Sequence, residues 1–323
     1  MQNHYQEVDG VLQPMKIVVT GSSGLIGSNL VRELIEQEHD VSCLDLVTGC
    51  DLNDTEQVDK LFSQIYPDVV YHLAANAAEA RGQISPVDMI HNNIGIFANT
   101  LRAAINVNVK KFIYTSSVAV YGEANVPYKE DGPTIPKDVY GVNKLACEQI
   151  LKIMAKVYGF KYTIFRPHNV YGPGQNMSDP YKNVVALFMR KLMDGEPYKL
   201  YGEGKMRRAF SYVDDVVRVL VDSLQDSFDN QTLNVGAEED ISIKELSDLV
   251  QDVTGLTSPV EMLPGRPQEI SMFLADHTNQ QKLTKYMNTP IEDGLAMTWE
   301  WVQEQKQLPI IQKKDEIYVY PKS

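Results

Sequence analysis

The stretch from Met15 to Leu30, Met-Lys-Ile-Val-Val-Thr-Gly-Ser-Ser-Gly-Leu-Ile-Gly-Ser-Asn-Leu, constrains the fold of this chain more than any other. Ile17, Val18 and Val19 form a β-branched apolar run, the pattern of a strand buried on both faces. Gly21, Gly24 and Gly27 follow at three-residue spacing. From Ile26 the apolar positions Ile26, Leu30 and Leu34 recur every four residues, with Val31 and Ile35 beside them, which predicts an amphipathic helix. Strand, glycine turn and helix opening in succession aim backbone N–H groups and the positive end of the helix dipole at an anion. The glycines remove side chains that would hold a pyrophosphate away, so the segment reads as a dinucleotide cradle.

A glycine triplet alone also suits any tight strand-to-helix turn. A second apolar run, Val41 to Leu46, carries Asp45, 24 residues after Gly21. An acidic residue at about that distance meets the adenosine ribose hydroxyls in nucleotide-binding βαβ units. A carboxylate accepts hydrogen bonds from a diol and repels a 2′-phosphate, so the expected cofactor is NAD rather than NADP. The expected contacts are Gly21, Gly24, Leu25, Ile26, Gly27 and Asp45.

The 323 residues suffice for one large or two modest domains, and 43% apolar with 23% charged residues is a globular composition. A formal charge of −13 argues against a general nucleic-acid or anionic-membrane binder, so an anionic substrate needs local arginines. The three cysteines, Cys43, Cys50 and Cys147, lack metal-type spacing and point to a reducing compartment without a metal site. No apolar stretch approaches membrane-spanning length. Residues 1–14 have no basic-then-apolar leader pattern and read as a disordered extension, and the expected location is cytoplasmic.

Helices are predicted over 54–65, 88–107 and 139–158, and strands over 68–75, 111–116 and 162–166. This alternation requires a parallel sheet with helices on both faces, a Rossmann-type doubly wound α/β fold over 15–166. Beyond Arg166, Pro167, Gly172, Pro173, Gly174 and Pro180 break the rhythm. Helices at 182–194, 213–226, 243–254 and 277–287 and strands near 198–201, 232–235 and 259–263 suggest a smaller α/β substrate lobe over 167–323. There the chain is free to cross back into the first lobe.

Tyr140 and Lys144, in Tyr-Gly-Val-Asn-Lys, stand four apart on a predicted helix and share a face. An ordinary tyrosine titrates near pH ~10, so work near neutrality needs a shift of roughly three units, or about 4 kcal/mol. A neighbouring ammonium favours the phenolate in that direction. Ser117 lies at the end of Phe-Ile-Tyr-Thr-Ser-Ser, where a strand's C-terminal end opens into the cleft of such a sheet.

Together, Gly21-x-x-Gly24-x-x-Gly27, Ser117 and Tyr140-x-x-x-Lys144 resemble the extended short-chain dehydrogenase/reductase family over nearly all of the chain after residue 14. Within it the sequence is most similar to NAD-dependent nucleotide-sugar 4-epimerases of the UDP-glucose/UDP-galactose type. The shared stretches are Arg166-Pro-His-Asn-Val-Tyr-Gly-Pro-Gly174, Arg208-Ala-Phe-Ser-Tyr-Val-Asp-Asp215 and Gly265-Arg-Pro267. The resemblance implies that Ser117, Tyr140 and Lys144 are catalytic. It places Asp51 and Leu52 beside the adenine and Leu73, Ala74 and Ala75 along the cofactor. It makes Asn93 a cleft asparagine near the serine, and Asn169, Arg208 and Arg266 the holders of the substrate diphosphate. A homodimer through the helices around 88–107 and 139–158 is also implied.

Departures from the family pattern refine this. Ala77 stands where some epimerases carry a lysine near the cofactor phosphates, and Ala209 replaces an acidic residue. Phe273 matches a position whose bulk limits room at the sugar 2-substituent, which favours glucose and galactose over N-acetylated sugars. Related dehydratases place Asp-Glu directly after the hydroxyl residue, and decarboxylases keep a glutamate in that region. Here Val118 and Ala119 can neither give nor take a proton, which argues against elimination. Alternatives left open are 4-epimerisation of UDP-glucuronate or UDP-N-acetylglucosamine, a related dehydratase or oxidoreductase, and an NAD(H)-sensing regulator without chemistry.

Overall fold

The computed structural model describes residues 7–8, 11–77, 84–122, 124–177, 183–265, 272–284 and 286–305. Its centre is a six-stranded, wholly parallel sheet in the order Gln231–Val235, Lys161–Pro167, Lys111–Thr115, Val69–His72, Lys16–Thr20, Asp40–Leu44. The inner strands sit between helices, and alternate side chains enter two separate cores. Val18, Val70, Phe112 and Ile164 face Phe62, Phe97, Leu101 and Leu151. Ile17, Val19, Tyr71 and Phe165 face Leu30, Leu34, Val216 and Leu220. Double-sided burial is why Ile17–Val19 and Val69–Tyr71 read as unbroken apolar runs.

From Lys16–Thr20 the chain steps outward to Asp40–Leu44 and returns to Val69–His72 on the opposite side. A crevice therefore opens where the strand order reverses, the place where open α/β sheets hold ligands. The helix Leu25–Glu36 packs over one face beside Val213–Asp222; Thr55–Ile65, Ile96–Asn106 and Val139–Tyr158 cover the other. Asp54 caps the helix Thr55–Ile65, accepting from the N–H groups of Glu56 at 3.1 Å and Gln57 at 3.0 Å. A third core joins the helices Val184–Asp194, Ile243–Thr254 and Ile291–Gln305 around Phe188, Leu246, Val250, Leu295 and Trp299.

Several elements depart from their expected limits. The expected 88–107 helix begins at Pro86, whose fixed φ suits a first helical position, and His91–Gly95 forms a π turn within it. The helix expected to reach 226 stops at Asp222. Ser223 then turns its hydroxyl back to the Leu220 carbonyl at 2.5 Å, and a 3₁₀ turn buries Phe228. The helix expected over 277–287 is Thr278–Leu283, ended by an extended Thr284. In residues 1–14, where disorder is the expectation, Glu7–Val8 pairs antiparallel with Val11–Leu12. Among the described residues no helix is long and apolar enough to cross a membrane, and no group of three or more His, Cys, Asp or Glu is arranged to hold a metal.

Candidate active site

The glycine turn closes so tightly that a Cβ on Gly27 would lie 2.1 Å from the Gly21 carbonyl oxygen. Only glycine permits that approach. Gly24 caps the helix Leu25–Glu36 with no side chain on the exposed N–H groups, and the first turn carries no acid. Leu25 and Ile26 open that helix half-buried, with Gly27 buried behind them. Asp45 stands at the end of the neighbouring strand, half-buried. It accepts from Ser23 N–H and Val47 N–H, both at 3.0 Å, which ties the carboxylate to the glycine turn. Leu73, Ala74 and Ala75 leave the adjacent strand half-buried, and Leu73 N–H donates to the Thr20 carbonyl at 3.1 Å. Leu52 is buried; Asp51 is exposed and accepts from Asn53 N–H at 2.9 Å.

Tyr140 and Lys144 lie in the first two turns of Val139–Tyr158, which Asp138 caps through Gly141 N–H at 2.7 Å. A Cβ on Gly141 would come within 2.6 Å of the Ala119 carbonyl. The helix can thus press against the turn Val118–Val120, and Tyr140 packs on Ala119 and Met89. Lys144 Nζ lies 5.7 Å from the Tyr140 ring centroid and 4.9 Å from that of Tyr114, and donates to the Thr115 carbonyl at 2.7 Å. Burial pushes the ammonium down to about 8, with Cys147 and Glu148 partly offsetting the shift. Ser117 opens the turn after strand Lys111–Thr115, its Oγ accepting from Ala119 N–H at 3.1 Å. His72 is pushed down to about 3 by burial and then by the Lys144 charge, so this imidazole is neutral. Its Nδ1 lies 2.9 Å from Thr20 Oγ1.

Across the cleft, Arg208 occupies the strand Arg207–Ala209, parallel to and in register with Phe273. Its guanidinium sits 4.7 Å from the Phe273 ring centroid, a cation–π contact, and donates from Nη1 to the Arg207 carbonyl at 2.8 Å. Asn169 is exposed and donates from Nδ2 to the Ala209 carbonyl at 2.9 Å, so asparagine and arginine come to one place. Asn93 sits apart from them on the π turn. Its carboxamide accepts from Asn76 N–H at 2.9 Å and donates to the Asn76 carbonyl at 3.2 Å, which fixes the loop after Ala75. Arg266 lies outside the described residues.

One buried assembly escaped the sequence reading. Glu148, one turn beyond Lys144, receives paired bonds from Arg166 Nε at 2.9 Å and Nη2 at 2.6 Å, and a third from Ser116 Oγ at 2.5 Å. Arg166 also donates to Tyr121 Oη at 2.8 Å, and Tyr121 to Asn234 Oδ1 at 2.6 Å. Burial opposes the guanidinium charge, yet the Glu148 carboxylate outweighs it and raises the Arg166 pKa. The available signal was the four-residue step from Lys144 to Glu148 on one helix face.

A family model described as the NAD-dependent epimerase/dehydratase family matches residues 17–236, from the first strand of the sheet to just past the last. The chain belongs to that family. NAD is therefore its cofactor, and the cradle fits the molecule: a helix opening with no side-chain cap for the pyrophosphate, glycines at 21, 24 and 27 that keep the turn close, and a carboxylate at the rim for a diol.

Among its relatives in the family, the UDP-glucose 4-epimerase of Mycolicibacterium smegmatis is 31% identical over 317 residues, covering 91% of this chain and 100% of the relative. The crystal structure of the Thermotoga maritima UDP-glucose 4-epimerase with UDP-glucose is similar at a TM-score of 0.85 and 30% identity. It covers 90% of this chain and 100% of its own. The Bacillus cereus UDP-glucuronic acid 4-epimerase with UDP-glucuronic acid and NAD is similar at a TM-score of 0.80 and 27% identity, over 90% of this chain and 99% of its own.

Proposed function

We propose that this member of the family is a UDP-hexose 4-epimerase, interconverting UDP-glucose and UDP-galactose through a transient 4-keto sugar. The observation that carries the reading is the placement of Tyr140, Lys144 and Ser117 at one end of the sheet, with Val118 and Ala119 buried behind them. Neither of those two can act as the extra acid or base of an elimination. The similarity to UDP-glucose 4-epimerases supports the same choice.

In this mechanism bound NAD supplies a reversible hydride acceptor at C4 of the sugar. Tyr140, as phenolate, takes the C4 hydroxyl proton and later returns it. Lys144 holds a positive charge beside the phenol in a dry setting where that charge counts for more than in water. Ser117 Oγ spends a lone pair on Ala119 N–H and keeps its proton to donate to the C4 oxygen. Asn169, Arg208 and Arg266 hold the diphosphate, the arginines by forked hydrogen bonds, while the sugar turns to offer its other face. Remote binding thus positions the reacting carbon. Asn93 and Phe273 belong to the sugar side of the cleft. Asp45 meets the ribose, Asp51 and Leu52 flank the adenine, and Leu73 to Ala75 run along the cofactor.

The test is UDP-glucose deuterated at C4, incubated without added NAD. All of the label is expected at C4 of the UDP-galactose formed. Washout into solvent would falsify the mechanism. The N-acetyl and uronic forms, run in parallel, decide the sugar.

The same reading includes a homodimer. Val142, Ile153 and Val157 make an exposed stripe along the helix Val139–Tyr158, near exposed Val87 and Ile90 on the neighbouring helix. Such a patch suits an interface. A solution mass of twice the chain, falling to one chain in Ile153→Glu, is expected; a monomeric wild type refutes it. Three free thiols support a reducing, cytoplasmic setting.

A further inference from the structure

Three successive residues at the end of strand Lys111–Thr115 are each fastened to a different group. The Thr115 carbonyl accepts from Lys144 Nζ at 2.7 Å. Ser116 N–H donates to the Phe165 carbonyl at 2.7 Å and its hydroxyl to Glu148 Oε1 at 2.5 Å. Ser117 then caps the turn Val118–Val120, its hydroxyl accepting from Ala119 N–H. Lys144 and Glu148 are one helical turn apart, so the helix Val139–Tyr158 is pinned to the strand end at two consecutive rungs. Glu148 cannot swing away, because Arg166 grips both of its oxygens. Ser116 and Glu148 are both about 98–99% buried, and no ligand atom needs to touch either.

We propose that Ser116 is a positioning residue: its bond to the clamped Glu148 fixes the strand end from which the Thr115 carbonyl sets the reach of Lys144 toward Tyr140. The inference rests on the Tyr140–Lys144 chemistry proposed above. A hydroxyl-to-carboxylate bond is short and strong because one partner is ionised. Removing it takes away the side-chain rung between the strand end and the helix, while the Ser116 N–H bond to Phe165, the Arg166–Glu148 pair and the cradle stay in place. The helix turn that carries Lys144 is then tied to the strand end by the Thr115 carbonyl alone, its reach toward Tyr140 is less sharply set, and the phenolate loses part of the ammonium's support.

The test is a phenolate absorbance titration of the NAD-loaded enzyme, each protein read as a difference against the same protein carrying Tyr140→Phe. In Ser116→Ala the Tyr140 midpoint is expected to rise by about one unit, roughly a tenfold loss of phenolate at fixed pH. The melting temperature falls by a few degrees, as the loss of one bond to a buried carboxylate requires, while bound NAD stays near wild type. Ser116→Cys fills the same space with a weak donor and is expected to shift the same way, which keeps the test open if the alanine variant does not fold. An unmoved midpoint, with only melting temperature or NAD occupancy reduced, makes Ser116 merely structural and overturns the proposal. The titration needs no sugar. A wild type that epimerises no UDP-hexose sinks the proposed function and leaves this result to be read on its own.

Discussion

Tyr140→Phe is expected to keep its NAD and lose turnover by roughly 10²- to 10⁴-fold, the range ascribed to a positioned general acid–base group. The substitution removes one oxygen from a ring packed on Met89 and Ala119, so folding and the cradle are untouched. The loss should appear in kcat and not in KM, because the proton moves in the transition state while the diphosphate is held elsewhere. The pH profile carries a second signature. Burial pushes Lys144 down to about 8, so its positive charge is present below that pH and fades above it. Wild-type kcat should therefore fall on the alkaline side from about pH 8. Steady-state rates and the absorbance of bound cofactor across pH check both statements, and a phenylalanine variant turning over at more than a tenth of wild type removes Tyr140 from the chemistry.

The second large effect is on stability. Arg166→Met strips the buried Glu148 carboxylate of its paired guanidinium bonds, leaving the Ser116 hydroxyl bond, and leaves Tyr121 without its cationic neighbour. Breaking a buried pair from one side costs roughly 3–5 kcal/mol, since the remaining charge stays desolvated. For a chain of this size that is a fall in melting temperature on the order of 10 °C. The comparison variant is Lys244→Ala, which breaks the surface pair with Asp248 and should cost under about 1 kcal/mol. Equal losses from the two substitutions, measured by thermal or denaturant unfolding, would refute the claim that burial makes the difference.

The parts legible in the sequence are those whose cause is local. The run Ile17–Val19 had to be a strand, and the spacing of Val58, Leu61, Phe62 and Ile65 had to be a helix, with Asp54 or Thr55 available to cap it and Asp54 taking that place. Tyr140 and Lys144 shared a face because a helix turns once in about 3.6 residues. What escaped notice depends on partners far along the chain. Arg207–Ala209 and Met272–Phe273 are strands only because they pair with each other and, in the first case, with Asp240–Ser242. The π turn at His91–Gly95 holds Asn93 against Asn76, a contact no periodicity announces. The helix Ile291–Gln305 had a signal that went unread. Ile291, Leu295, Trp299 and Val302 form a helical stripe, broken to the eye by Gly294, which stands against Tyr171, and Thr298, which bonds back to the Gly294 carbonyl. Ser116, Glu148 and Arg166 are dispersed in sequence and meet only when two strands and a helix are in place.

The sixth strand, Gln231–Val235, lies against Lys161–Pro167 although the clamp strand Arg207–Ala209 precedes it in the chain. Only Phe210 and the two-residue strand Ser211–Tyr212 separate that clamp strand from the helix Val213–Asp222, which is sealed onto the first helix of the cradle. Arg208 is thus mounted only a few residues from a helix that packs on the sheet. In the proposed mechanism the span between the glycine cradle and Arg208 is therefore set like the jaws of a fixed gauge, and the sugar is the part left to move.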